Sequence, residues 1–236
     1  MKFILVLTFL TSTLTCFSQI NLIKKVSEKA ESLINTDVKL TESEIVDGLT
    51  EALKSGCLFS VNVSSAEGGF NNNKHIKIPF PDESVKKNLL NIGFSEKVKQ
   101  FEISMNRSAE IASEKALPIL DQAISNMRIN DALNILNGED NAATIYLKNS
   151  AYKFLYSEFY PIVSIAMEKS EIAKKWNLLI NKYNNIPFVK KTNPDIEDYI
   201  TTKTIEGLFV LIAEQEKEIR NNPKARLTDL LKKVFN

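Results

Sequence analysis

The sequence predicts an all-α fold: a single globular bundle of about eight or nine helices, several of them short, with one long enclosed helix near the C-terminus. Three observations predict it. Apolar residues recur at three- and four-residue spacing through nearly everything after Gln19. Seven glycines in 236 residues is under half the usual share of about 7%, which argues against an all-β or glycine-loop-rich α/β chain. Only His75–Phe80 alternates in the two-residue rhythm of an extended segment, and Pro79 and Pro81 close it.

Taken in order, Ile20, Ile23, Val26, Ala30 and Leu33 mark one face of a first helix. Thr41-Glu42-Ser43-Glu44 has capping-box spacing ahead of Ile45, Leu49, Ala52 and Leu53, in a helix that Gly56 is expected to end or loosen. Ser64–Asn73 is the least regular stretch. Asp82 caps a short helix that stops at Gly93. Ser95 caps the next, with Val98, Phe101, Met105, Ala109 and Ala112 on one face, and Pro118 interrupts or restarts it. Asn130 caps a short helix ending at Gly138. Another runs from Ala142 to about Phe159, where Pro161 breaks or kinks it. A helix from about Ile162 to Tyr183 carries Trp176, and Asn184–Pro194 is a loop. Asp195–Arg220 is one long helix, about 37 Å at 1.5 Å per residue. Its middle, Gly207–Ala213, is apolar all round, as in an enclosed helix, so Phe209 and Ile212 are expected to be buried. Pro223 opens a last helix whose Leu227, Leu230, Leu231 and Val234 form a docking stripe.

The N-terminus reads as a secretory signal over residues 1–18, leaving 19–236 as a single all-helical domain. Lys2 supplies the basic start, Phe3–Leu14 the apolar core, and Cys16 and Ser18 the small residues for cleavage before Gln19. Lipidation at Cys16 is the competing reading, and Thr15 before it is bulkier than a lipobox prefers. The expected location is therefore periplasmic or exported. Cleavage leaves Cys57 alone, so no intramolecular disulfide supports the fold. The whole chain carries 30 basic and 29 acidic residues, a balance that gives no overall field to recruit nucleic acid or an anionic membrane.

Met105-Asn106-Arg107-Ser108-Ala109-Glu110, Asp131–Gly138 and Ala142-Ala143-Thr144 carry a resemblance. So does the C-terminal stretch with Gly207-Leu208-Phe209, Ile212–Glu216, Ile219-Arg220, Asn222-Pro223, Arg226 and Leu230–Phe235. The chain is similar, from about Leu40 to its end, to the exported Gram-negative domain-of-unknown-function family numbered 4197. The resemblance implies an α-helical periplasmic or membrane-anchored protein and brings no activity with it. Asn236 stands where the family pattern would have a terminal glycine.

Several chemistries lack their motifs. No two glycines form G-x-G, and there is no G-K-[ST] or G-x-S-x-G. A single histidine, His75, excludes H-E-x-x-H and the paired E-x-x-H motifs of di-iron bundles. One mature cysteine excludes C-x-x-C zinc or redox sites. No catalytic residue, metal or cofactor is expected from these patterns.

Four groups remain as candidates. The chain has four arginines, Arg107, Arg128, Arg220 and Arg226, and a chain this rich in lysine keeps arginine where a planar bidentate group matters. Arg107 and Glu110 read as an anion clamp or the anchor of a polar site, or else as a structural pair at i,i+3. Tyr152, Tyr156 and Tyr160 share one helix face, beside Phe159, and read as a pocket wall or partner strip, or as interhelical packing. Asp131, Glu139 and Asp140 fall where helix caps and dipole partners belong. His75 and Ser64–Asn73 read as a mobile functional loop, or as a solvated one.

The leading functional reading is a non-enzymatic cell-envelope module that binds an envelope partner or a small apolar ligand, with Arg107, Glu110, Tyr152 and Tyr156 as ligand-binding residues. A helical hydrolase or lyase using carboxylates and Arg107 is the second. The third is a structural module at the membrane surface, docked through its first helix.

Overall fold

The computed structural model describes residues 40–236, of which Thr41–Asn236 form one compact unit. The signal, the Cys16 reading and the first helix from Ile20 lie outside the described residues. Among those described there are nine α-helices and no strand: α1 (Glu42–Ser65), α2 (Glu83–Asn91), α3 (Ser95–Ser113), α4 (Ala116–Ser125), α5 (Ala132–Leu136), α6 (Ala142–Lys169), α7 (Ile172–Asn184), α8 (Ile196–Asn221) and α9 (Asp229–Val234). None is long and apolar enough to cross a membrane.

Starts and stops follow local chemistry where a side chain can reach. Thr41 and Glu44 close the capping box on α1, each bonding the other's backbone amide. Asp82 accepts from the Ser84 and Val85 amides at the head of α2, and Asp195 does the same for Glu197 and Asp198 on α8. Gly93, at φ 84°, ends α2 in a Schellman turn, with Phe94 N donating to Leu89 O and Gly93 N to Leu90 O.

Other expectations are corrected. Gly56 does not end α1. A Cβ there would stand 3.0 Å from the Ile212 side chain and 3.2 Å from its carbonyl oxygen, so the glycine lets α8 press against α1. Ser95 and Asn130 are not caps: α3 and α5 start from Phe94 and Asp131 with no side-chain cap bond. Pro118 lies in the first turn of α4, where a missing N–H costs nothing. Pro161 does not break α6, whose Leu155, Phe159, Val163 and Ala166 are buried on either side of it. The break comes instead at Ser170–Glu171, with Glu171 at φ 51°. Pro223 opens only a 3-10 turn to Ala225; Thr228 caps α9, and Leu227 stands in solvent outside the docking stripe.

The long helix α8 packs most extensively against α1 and α6, with α3 also against it. Phe209 and Ile212 are buried as expected (4% and 0% exposed). The enclosure is incomplete, because Val210 is exposed and Glu206 and Ala213 are half-buried, one to two turns apart along the same helix. Ile76, Ile78 and Phe80 alternate inward along the arm between α1 and α2. Phe80, Phe101 and Trp176 meet at centroid distances of 5.2–5.9 Å, joining arm, α3 and α7 in one apolar core. Gly207 admits this layer to α8, since a Cβ there would stand 2.7 Å from the Phe70 ring.

Candidate functional site

On α3, Asn106 and Glu110 lie one turn apart and face the segment that follows α1. The Asn106 amide is fully buried; its oxygen accepts from Ile78 N (2.8 Å) and its nitrogen donates to Ile78 O (3.1 Å), as a neighbouring strand would. Glu110, 2% exposed, accepts through Oε1 from Phe70 N and Asn71 N. Its Oε2 accepts from Arg107 Nη1 at 3.1 Å. The Arg107 side chain is 43% exposed, so it is a surface partner to a buried carboxylate, not a residue inside a buried helix face. The Ser64–Asn73 stretch is correspondingly not free-standing: α1 runs through Ser65, and Glu110 holds the turn beyond it. His75 leaves the arm to meet Glu214 of α8 at 2.5 Å.

The second locus is a groove between α6 and α8. A cleft of about 610 Å³ is lined by Lys148, Ser150, Tyr152, Lys153 and Glu206. A second, of about 340 Å³, is lined by Thr144, Ile145, Lys148, Glu206, Phe209, Val210 and Ala213. A third, of about 160 Å³, runs under His75–Pro79 and shares Glu206 and Val210. All three border Glu206, and neighbours share Lys148 or Val210, so they lie side by side along the α6–α8 seam, together termed the groove. The middle cleft has an apolar lining in Ile145, Phe209, Val210 and Ala213, and Lys148, Lys153 and Lys203 stand along the groove. Lys203 pairs with Glu206 at 2.7 Å, and the Lys148 ammonium lies 5.9 Å from the Phe209 ring centroid.

Of the four predicted ligand-binding residues only Tyr152 lines this groove, and of the other candidates His75 borders its third cleft. Tyr156, one turn on, donates to Asp198 Oδ1 at 2.6 Å and lies 5.8 Å from Tyr160 between ring centroids. That hydrogen bond, then burial and the Asp198 charge, holds the Tyr156 hydroxyl protonated well above the ordinary phenol range. Neither Arg107 nor Glu110 borders the groove. Asp131 accepts from the Asn134 side chain, and Asp140 lies 3.8 Å from Lys217; neither caps a helix through its side chain.

The N-terminus of α6 is capped from another helix. Glu216 of α8, 1% exposed, accepts from the amides of Ala143 (3.0 Å) and Thr144 (2.7 Å) and from the Thr144 hydroxyl (2.6 Å). Arg220, one turn on, bonds Glu216 and donates to the carbonyls of Leu136 (2.6 Å) and Ile135 (3.0 Å) at the end of α5. Arg226 closes α8 in the same way, donating to Ile219 O and Arg220 O. Sequence reasoning did not single out Glu216 or Asn106. The available signal was Glu216–Arg220 at i,i+4 on the helix that reads as most enclosed. Among the described residues no three His, Cys, Asp or Glu side chains cluster so as to hold a metal ion.

A family model described as a protein of unknown function, DUF4197, matches residues 39–236. No curated protein and no solved structure matches the chain.

Proposed function

The chain belongs to the DUF4197 family, and from that premise we propose that it is a non-enzymatic binding module of the cell envelope whose α6–α8 groove takes an elongated apolar ligand with an anionic end. The observation that carries this reading is the open strip on α8. A helix apolar all round at 207–213 is closed by α1, α6 and the arm, yet Val210 and Ala213 are left facing a groove. The apolar floor suits a hydrocarbon body, and Lys148, Lys153 and the Tyr152 ring and hydroxyl suit an acidic head. The envelope part of the reading rests on residues 1–18.

The hydrolase reading gains no support from the geometry. Glu110 has both carboxylate oxygens engaged and is buried, and Asp131 and Asp140 share no cleft with it.

The test is native mass spectrometry of protein purified from its own envelope, together with melts in envelope lipid extract. Wild type should retain a small-molecule adduct and be stabilised by the extract. Val210→Glu, at a 39% exposed position, should melt like wild type without extract and lose both effects. Wild-type protein that carries no adduct and shows no shift would reject the proposal.

A further inference from the structure

We propose that the tip of the bundle built from the α2–α3 turn, α7 and the loop after α7 docks on an anionic lipid bilayer, with Phe188 as the residue that enters it. This surface is separate from the α6–α8 groove, and the inference does not depend on that reading.

Phe188 is wholly exposed and has φ 64°. Both conditions are unfavourable in water: a large apolar side chain is hydrated, and a bulky residue occupies the left-handed region. The loop that imposes them is well built. Tyr183 Oη donates to Lys190 O (3.2 Å). Asn184 donates to Thr192 O (2.9 Å) and accepts from Thr192 N (3.0 Å). Ile186 N donates to Tyr183 O (2.9 Å). The loop thus holds Phe188 out instead of letting it fold back onto the protein.

Its surroundings continue the pattern. Phe188 lies three residues past Asn185, so within about 11 Å of it. Asn185 borders a cleft of about 610 Å³ lined also by Phe94, Lys97, Leu178 and Lys182. Leu178, Leu90 and Ile92 are 47%, 40% and 41% exposed. Lys97, Lys182, Lys190 and Lys191 have no carboxylate partner among the described residues, and Glu96 is the one carboxylate in the cleft lining. Lys182 lies over the Phe94 ring at 5.5 Å, its stem along apolar surface and its ammonium outward. An apolar prong among unpaired lysines matches a bilayer interface: hydrocarbon for the ring, lipid phosphates for the ammonium groups. A second copy of the chain fits poorly, because an isologous contact would set the same four lysines against each other.

The test is co-sedimentation of the protein as purified from its own envelope with vesicles of phosphatidylethanolamine and phosphatidylglycerol, against phosphatidylcholine alone. Wild type should bind the anionic vesicles and not the neutral ones. Phe188→Asn removes the prong and suits the left-handed backbone, so it should melt at or above wild type while binding falls at least about tenfold. Lys190→Ala/Lys191→Ala should weaken binding about twenty-five-fold, about fivefold per lysine. Three results would each overturn the proposal. One is no binding by wild type. Another is binding unchanged in both variants, which would move the contact elsewhere, residues 1–39 included. The third is Phe188→Asn abolishing self-association while vesicle binding stays intact, which would give the surface to a second copy.

Discussion

Glu216 and Arg220 concentrate more structural consequence than any other pair of side chains described. Their carboxylate and guanidinium are nearly out of solvent (1% and 9% exposed) and between them meet the free amides starting α6 and the free carbonyls ending α5. Each therefore serves a helix terminus as a charge of the sign its dipole favours. Deleting either leaves the other charge buried and its backbone partners unmet. Glu216→Ala and Arg220→Ala should each cost about 3–5 kcal/mol in urea melts. The double variant Glu216→Ala/Arg220→Ala should cost less than the two single losses added, because neither charge is then stranded. Additive losses would mean the two residues act independently. Arg107 is the useful contrast. Its guanidinium is half-exposed, so Arg107→Met should cost no more than about 1 kcal/mol in the same melts, even though Glu110 stays buried by its two backbone donors.

The arm at residues 76–80 behaves as an element without being a helix or a strand. Among the described residues it has no strand neighbour; Asn106 supplies the donor and acceptor that one would. Asn106→Ala removes both bonds to Ile78 and a third to Glu102 O. The global loss should be about 1–3 kcal/mol, from the stranded Ile78 groups. Amide exchange should accelerate at residues 76–80 well before it does in α8; uniform acceleration would show the arm to be part of the main cooperative unit. The arm also shows what sequence makes legible. The alternation of Ile76, Ile78 and Phe80 was readable because it is local, as were the Thr41 and Asp82 caps and the Gly93 stop, whose partners lie within a turn or so. Gly56 and Pro161 were misread because their outcome depends on what packs there: Ile212 for one, a fully buried helix face for the other. At the candidate site, the shared face of Tyr152 and Tyr156 could be read, but not that α8 splits it, taking the Tyr156 hydroxyl on Asp198 and leaving Tyr152 in the groove. Glu216 looked like one more charge on a long helix, because its partners stand 72 and 73 residues away.

For the molecule as a whole, stability should lean toward the acid side of pH 9. Burial, helped by the charge of Asp121, pushes the Cys57 thiol from its ordinary 9.0 up to about 12. The Tyr156, Tyr160 and Tyr199 hydroxyls also move up from 10.0, Tyr156 chiefly through its bond to Asp198 and the other two chiefly through burial. Above pH 9 the unfolded chain releases protons that the folded one keeps, so stability is full below that pH and is lost as pH climbs toward about 12. Denaturant melts across that range should show the decline, and Cys57→Ala should flatten its lower part. Cys57 should also resist thiol reagents at pH 8 until the protein unfolds; rapid native labelling would contradict its burial. The pairing of α1 with α8 and α9 governs something different, the order in which the bundle can close. Ser60 donates to a carbonyl 148 residues later in the chain, at Leu208, and Glu44 meets a lysine 189 residues later, at Lys233. In chain order α1 meets α3, α4 and α5 first, but its most extensive partner is α8, so its inward face stays only partly covered until α8 has been made. Closure of the bundle therefore waits on α8, and until it docks the uncovered part of α1 is open to whatever machinery shields unfolded polypeptides.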